Sequence, residues 1–134
     1  MPRVVRFGRL PGSGRPFLLR ELVEGESLAA LLEGGAKPAR ALGAVLDVAD
    51  QFTRLHRALL LHGDVKLANV IVPPEGPATL VDLGLVMAFR ENGARPLGLT
   101  PRYAAPELFE GGALTVRAEV FALGATLSDV LDKI

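Results

Sequence analysis

The sequence predicts an α+β domain: a small strand-rich edge at its N-terminal end on a mainly helical body. Three observations predict it. Short apolar runs separated by a Gly/Pro turn fill roughly the first 24 residues, the two longest periodic or apolar stretches (38–60 and 116–134) have helical length, and only two three-residue β-like runs lie between them. At 134 residues the chain suits one domain with a real core and is short for two.

Taken in order, the runs at 4–10 and 17–23 flank PGSGRP, whose Gly and Pro favour a turn, so a β-hairpin is expected. VEGES then turns the chain into a short helix over 27–32, with Ser27 or its immediate predecessors as cap. After the breaker GGAK, Pro38 opens a helix over 38–60. Leu42, Val45, Leu46, Ala49, Phe52, Leu55 and Leu59 follow helical spacing, which gives it one core face. Two tiny strands, 70–72 and 79–81, flank the turn PPEGPA; residues 87–99 read as irregular, 106–110 as a helix start and 116–134 as a second long apolar helix.

Composition excludes several classes. Fifteen basic residues against fifteen acidic give no polyanion-binding surface, so no nucleic-acid partner is expected. The absence of cysteine removes disulfide and zinc–thiolate chemistry and suits the cytoplasm. The first residues have no apolar core of signal-peptide length, and no run of about 18 apolar residues suggests a membrane span. The hydrophobic fraction, 49%, is high for a small domain and implies apolar surface in need of a partner.

The chemistry-bearing stretch is LHGDVKLANVIV at 61–72, followed by TLVDLGLV. Moving a γ-phosphoryl group needs an oriented hydroxyl, cations on the triphosphate and ligands for those cations. Magnesium takes hard oxygens, commonly one or two carboxylates alongside phosphate and water. Asp64 and Asn69 share one loop, and Asp82 follows the second tiny strand. If the strands pair, Asn69 and Asp82 meet at one end of a hairpin, Lys66 reaches the same region, and Gly84 lets the backbone turn after Asp82. Singly, each of these is an ordinary turn or cap residue; the spaced set raises them above that.

HGDVKLAN resembles the catalytic loop of protein kinases, VDLG the D-F-G magnesium motif, and TPRYAAPEL the end of the activation segment. EVFALGATL resembles the helix that follows, and PFLLRELVEGESL the last small-lobe strand and hinge of bacterial serine/threonine kinases. The resemblance runs in family order over residues 7–131. It implies a partial protein-kinase-like domain over 1–134, with 1–24 a small-lobe strand remnant and hinge and 25–134 part of the helical large lobe. It further implies Asp64 as catalytic base, Lys66 as the lysine of serine/threonine specificity, and Asn69 and Asp82 as Mg2+ ligands. Glu21 and Val23 become hinge residues at the adenine of ATP, Thr100 the substrate-loop threonine, and Glu107 the A-P-E glutamate. His62 is expected to be structural. The substrate implied is a protein hydroxyl. Aminoglycoside and choline kinase-like loops also begin H-G-D but carry His near the Lys66 position; Lys66 and the A-P-E stretch favour the protein-kinase branch.

The departures from the pattern matter equally. GRLPGSGR lacks the spacing of the nucleotide lid and reads as a hairpin turn. The three lysines, Lys37, Lys66 and Lys133, all follow the hinge, so none is the strand lysine that binds phosphate. Gly63 replaces the arginine that reads a phosphorylated loop, and no Ser, Thr or Tyr lies between Asp82 and Thr100, so no activation-loop phosphoswitch is expected. Arg20 falls at the back of the adenine site, where a buried charge would need a partner. Glu119 replaces the Asp that braces the catalytic loop, and a looser brace is expected. Glu107 is expected to lack its arginine partner, and the last helix to expose apolar surface that a separate small lobe or another chain would cover. Two readings stay open here: a serine/threonine kinase piece active only when completed, or a non-catalytic kinase-fold interaction module.

Overall fold

The computed structural model describes residues 1–82, 87–88 and 98–134. Gly84 and most of the stretch expected to be irregular lie outside them. Strands β1 (Val4–Arg9) and β2 (Pro16–Arg20) form the expected antiparallel hairpin, with Phe7 opposite Leu18 and Gly8 opposite Phe17. Its turn needs glycine, since Gly12 and Gly14 have φ of 82° and 65°. The second strand stops at Arg20, earlier than expected, although the Glu21 N–H still donates to the Arg3 carbonyl at 2.9 Å. Gly25 then crosses the Val72–Pro73 backbone so closely that a Cβ would lie 2.5 Å from the Val72 carbonyl oxygen.

β3 (Glu26–Ser27) leads into α1 (Leu28–Glu33), where Ser27 Oγ accepts from the Ala30 N–H at 3.1 Å as the cap the sequence offered. α2 (Pro38–Arg57) carries the periodic apolar face and ends three residues before the expected 60. Leu59 turns the backbone left-handed (φ 57°), and Leu60–Leu61 become β4, paired with β7 (Met87–Ala88). An apolar run at a helix end does not reveal by periodicity where the helix stops. A 3₁₀ turn (Leu67–Asn69) precedes β5 (Val70–Val72), which pairs antiparallel with β6 (Thr79–Leu80) and with β3 on its other side. α3 (Pro106–Phe109) and α4 (Val116–Lys133) complete the described elements, α4 capped by Thr115 Oγ1 accepting from the Ala118 N–H at 3.2 Å.

The main core gathers Leu28, Val48, Phe52, Val70 and Leu80 from α1, α2, β5 and β6, and Val130 of α4 joins it. A second cluster of Leu61, Ala105, Leu108, Leu114 and Ala118 sits under the segment after Thr100. Side chains of α2 fix the β5–β6 turn: Arg40 donates to the Pro73 and Gly76 carbonyls, and Asp47 Oδ2 accepts from the Ala78 N–H at 2.7 Å. Gln51, buried, donates to the Ala78 carbonyl and accepts from the Leu80 N–H, both at 2.9 Å. The β1–β2 hairpin makes only marginal contact with any other element. Phe7 and Leu22 are 79% and 84% exposed. As expected for α4, its outer side carries exposed Val120, Phe121 and Leu131.

Candidate active site

The loop between β4 and β5 folds around Asp64. Thr100 Oγ1 donates to Asp64 Oδ1 at 2.6 Å, the Lys66 ammonium lies 2.8 Å from Oδ2, and Asn69 Nδ2 donates to Oδ2 at 3.2 Å and to the Asp64 carbonyl at 2.8 Å. Lys66 Nζ also reaches Thr100 Oγ1 at 3.4 Å. Three residues singled out in the sequence therefore converge on the carboxylate of a fourth. Burial pushes the Asp64 carboxyl up, but the bonds from Lys66 and Thr100, the Lys66 charge and the Asn69 bond outweigh it and hold it below the usual carboxylate range. Asp64 is ionised at neutral pH and aimed by three side chains.

Pairing of β5 with β6 continues one step beyond the ladder, where the Val81 N–H donates to the Asn69 carbonyl at 2.8 Å. This puts Asp82 next to the Asn69 end of the hairpin, as the sequence suggested. Asp82 is exposed and left-handed, with φ 64°. Asp tolerates that region better than most residues, at a cost of roughly 1 kcal/mol or more. Both Asn69 bonds use the amide nitrogen, so the amide oxygen and the Asp82 carboxylate are the hard donors a magnesium ion could take. Two such ligands fit magnesium, which keeps phosphate oxygens and water in its remaining positions. Among the described residues no group of three acidic, His or Cys side chains forms an all-protein metal cage.

His62 is fully buried. Its Nε2 lies 3.0 Å from the Val81 carbonyl and its Nδ1 accepts the Asp64 N–H at 3.2 Å, which fixes the Nε2–H tautomer. Burial lowers its pKa, against the opposing pull of the Val81 carbonyl and the charges of Glu119, Asp64 and Asp82. It is a structural hinge pin between the two Asp-bearing segments, as expected.

The brace from α4 differs from expectation. Glu119, 2% exposed, accepts the Gly63 N–H at 2.7 Å through Oε1 and meets His56 Nε2 of α2 at 2.7 Å through Oε2. The longer side chain spans the gap and serves both partners, so the brace is complete. Gly63, at φ 89°, supplies the turn that presents its N–H. Arg20 likewise departs from the buried charge expected: it is half-buried, and its guanidinium reaches the Glu21 carbonyl at 3.4 Å. Glu21 is exposed with its carboxylate held by Arg3 at 2.8 Å, while Val23 is half-buried in the extended segment that follows. Neither converges on Asp64. Glu107 is exposed in α3 and makes no ion pair among the described residues.

Sequence reading missed one cluster. Arg102 makes a two-bond ion pair with Asp129, Nε to Oδ2 at 2.8 Å and a terminal nitrogen to Oδ1 at 2.5 Å, and the Tyr103 hydroxyl donates to Oδ2 at 2.8 Å. The signal lay in α4, where Glu119, Thr126 and Asp129 recur at i, i+7 and i+10 and so share the buried face of an otherwise apolar helix.

A strand-flanked loop with an aimed carboxylate, a lysine beside it and an Asn–Asp pair at a hairpin end, on a helical body, defines a protein-kinase-type large lobe. The protein kinase domain pattern matches residues 3–133, and the chain belongs to that family. It is 36% identical to the serine/threonine-protein kinase PknD of Mycobacterium tuberculosis over 124 residues, covering 89% of this chain and 19% of that protein. It is similarly 36% identical to PknL of the same species (87% and 30% covered) and 33% identical to the serine/threonine-protein kinase PknH of Mycobacterium bovis (88% and 21%). Its likeness is thus to bacterial serine/threonine kinases, and it spans less than a third of the length of these relatives. No described helix is long and apolar enough to cross a membrane.

Proposed function

We propose that this chain carries the phosphoacceptor half of a serine/threonine protein kinase, transferring the γ-phosphate of ATP to a protein hydroxyl once a phosphate lid and its lysine are supplied by other sequence or a separate chain. The observation that carries the reading is the convergence of Lys66, Asn69 and Thr100 on Asp64. Drift has no reason to keep four such side chains in register.

In this reading Asp64 accepts a hydrogen bond from the incoming hydroxyl and orients its oxygen toward the phosphate. Its low pKa makes it a weak base, so it orients first and takes the proton late, as the new P–O bond forms. Lys66, already beside Asp64, places its positive charge where the transferred group's negative charge builds. Thr100 fixes Asp64 from the substrate side, and Glu119 fixes the loop from below through Gly63. Asn69 and Asp82 would hold Mg2+, which when bound neutralises phosphate charge. Glu21 and Val23 would offer backbone groups to adenine, and Glu107 would anchor the segment after Thr100. Half of the positioning is missing from these residues, and positioning carries much of phosphoryl transfer.

A second reading, a kinase-fold interaction module, draws on the uncovered Val120, Phe121 and Leu131 face of α4. Calorimetric titration with Mg-ATP separates the two. Binding tighter than about 1 mM, roughly 4 kcal/mol, that is lost in Asp82→Ala supports the split-kinase reading. A folded chain giving no heat supports the module.

A further inference from the structure

Beside the Asp64 loop lies an open cleft of about 390 Å³ between α1, the 3₁₀ turn and the end of α4, lined by Glu33, Lys66, Ala68, Arg102, Asp129 and Lys133 among others. It runs past Lys66, which contacts both Asp64 and Thr100, so a chain lying in it would bring a hydroxyl to the site. Three of its five charged residues are paired, Lys66 with Asp64 of the loop and Arg102 with Asp129, while Glu33 and Lys133 make no ion pair among the described residues.

Asp129 stands out among them. It is 7% exposed and its two oxygens take three hydrogen bonds, two of them from Arg102. A carboxylate this buried requires a cation or several donors. Arg102 is the opposite: its side chain is 66% exposed and only its tip is engaged. An exposed arginine laid across a buried carboxylate at the floor of a cleft is in the position a visiting guanidinium would take, with the fork geometry that suits it.

We infer that this cleft is the bed of the acceptor peptide and that Arg102, as resident ligand of Asp129, closes the one strongly anionic subsite there, so that this protein does not select arginine or lysine beside the acceptor hydroxyl. The inference rests on the phosphoacceptor reading above. Arg102 is a specificity-determining residue in this scheme and takes no part in the transfer. Removing it unmasks a buried carboxylate that still receives the Tyr103 hydroxyl but keeps only the Lys133 charge, which makes no ion-pair contact with it, and a peptide guanidinium then takes the vacated place.

The test is an amide-resolved NMR titration of the 134-residue chain. The probes are short serine peptides in which a single arginine is walked through the positions flanking the serine, each compared with its glutamine counterpart. The wild-type chain should bind both members of each pair alike, with shifts at Ala68, Arg102 and Lys133. Arg102→Ala should prefer one arginine peptide by about tenfold or more, the worth of a hydrogen bond to a charged group. Adding Asp129→Asn should erase that preference. Arg102→Gln, which keeps the apolar stem, replaces the alanine variant if the latter does not fold. A wild-type preference for arginine overturns the inference, as does an unchanged ratio in the Arg102 variants, while peptide binding itself leaves the phosphoacceptor reading standing. If no peptide shifts the cleft amides, that reading fails at its substrate side and the inference goes with it.

Discussion

The β1–β2 hairpin and the loop from β4 to β6 are both short, strand-flanked pieces, and they could hardly be held more differently. The hairpin is tied together by its own ladder, exposes Phe7, Leu18 and Leu19, and makes only marginal contact with any other described element. The loop has almost no regular ladder, yet His62, Leu61, Val70 and Leu80 within it are fully buried. Side chains from α2 and α4 take its backbone groups: Gln51, Asp47 and Glu119 bond Leu80, Ala78 and Gly63. The difference teaches that order in this fold comes from helix side chains reaching into irregular backbone. A two-stranded ribbon is marginal alone, whereas a loop with its polar groups satisfied on a helical core is not.

That comparison can be broken most forcefully at Leu80. Leu80→Ala should cost about 3 kcal/mol, a full buried leucine and its cavity, read as a lowered midpoint in urea unfolding; a loss no larger than that of a surface site would mean the loop is not seated on the core. Glu119→Ala should cost about 2 kcal/mol or more, since it strands the Gly63 N–H and uncouples His56. Glu119→Asp, one methylene shorter, should recover part of it; full recovery would show that the extra length is unnecessary.

Acid provides a smaller effect with a fixed sign. His62 is neutral in the fold and its pKa is lowered, so the unfolded chain binds the proton first. Its contribution to stability is complete above the ordinary histidine value, near 6.5, and is lost as pH falls from there toward the lower native value, by up to about 1.4 kcal/mol per pH unit. Comparing wild type with His62→Gln over that window should show a steeper loss in the wild type; parallel curves would contradict the neutral, Nε2–H assignment. At the other end of the scale, Phe7→Ala should change stability by no more than about 0.5 kcal/mol, as at other unburied positions. A larger loss would mean that the hairpin is covered in solution.

Much of this was legible beforehand because residue type and spacing carry it. Ser27 as cap, Pro38 at a helix start, the apolar face of α2 and the pairing of 70–72 with 79–81 are all local rules, and the structure obeys each. So too is the meeting of Asp64, Lys66 and Asn69, which share one loop. What escaped was non-local. That Leu60–Leu61 leave the helix to pair with Met87–Ala88 depends on partners 28 and 26 residues away. Glu119 serving two elements, and Arg102 crossing to Asp129 27 residues later, are geometric facts about how α4 docks. Polar residues on the inner face of an apolar helix announced that something must meet them, without saying what. Arg20 was misjudged for a related reason: burial at that position needs cover that these residues do not provide.

One contact has a consequence beyond the site. Among the described strands β6 is the outer one of its sheet, and such an edge is an open template on which another molecule's strand can add. Gln51 closes it. Its side-chain amide donates to the Ala78 carbonyl and accepts from the Leu80 N–H, the two bonds that one residue of a parallel neighbouring strand would make. A helix thus lends the sheet a counterfeit strand, one residue long and incapable of growing. The β1–β2 ribbon has no counterpart to this plug among the described residues, so intermolecular sheet growth in concentrated solutions of this chain should begin at the hairpin and spare the sheet beneath the Asp64 loop.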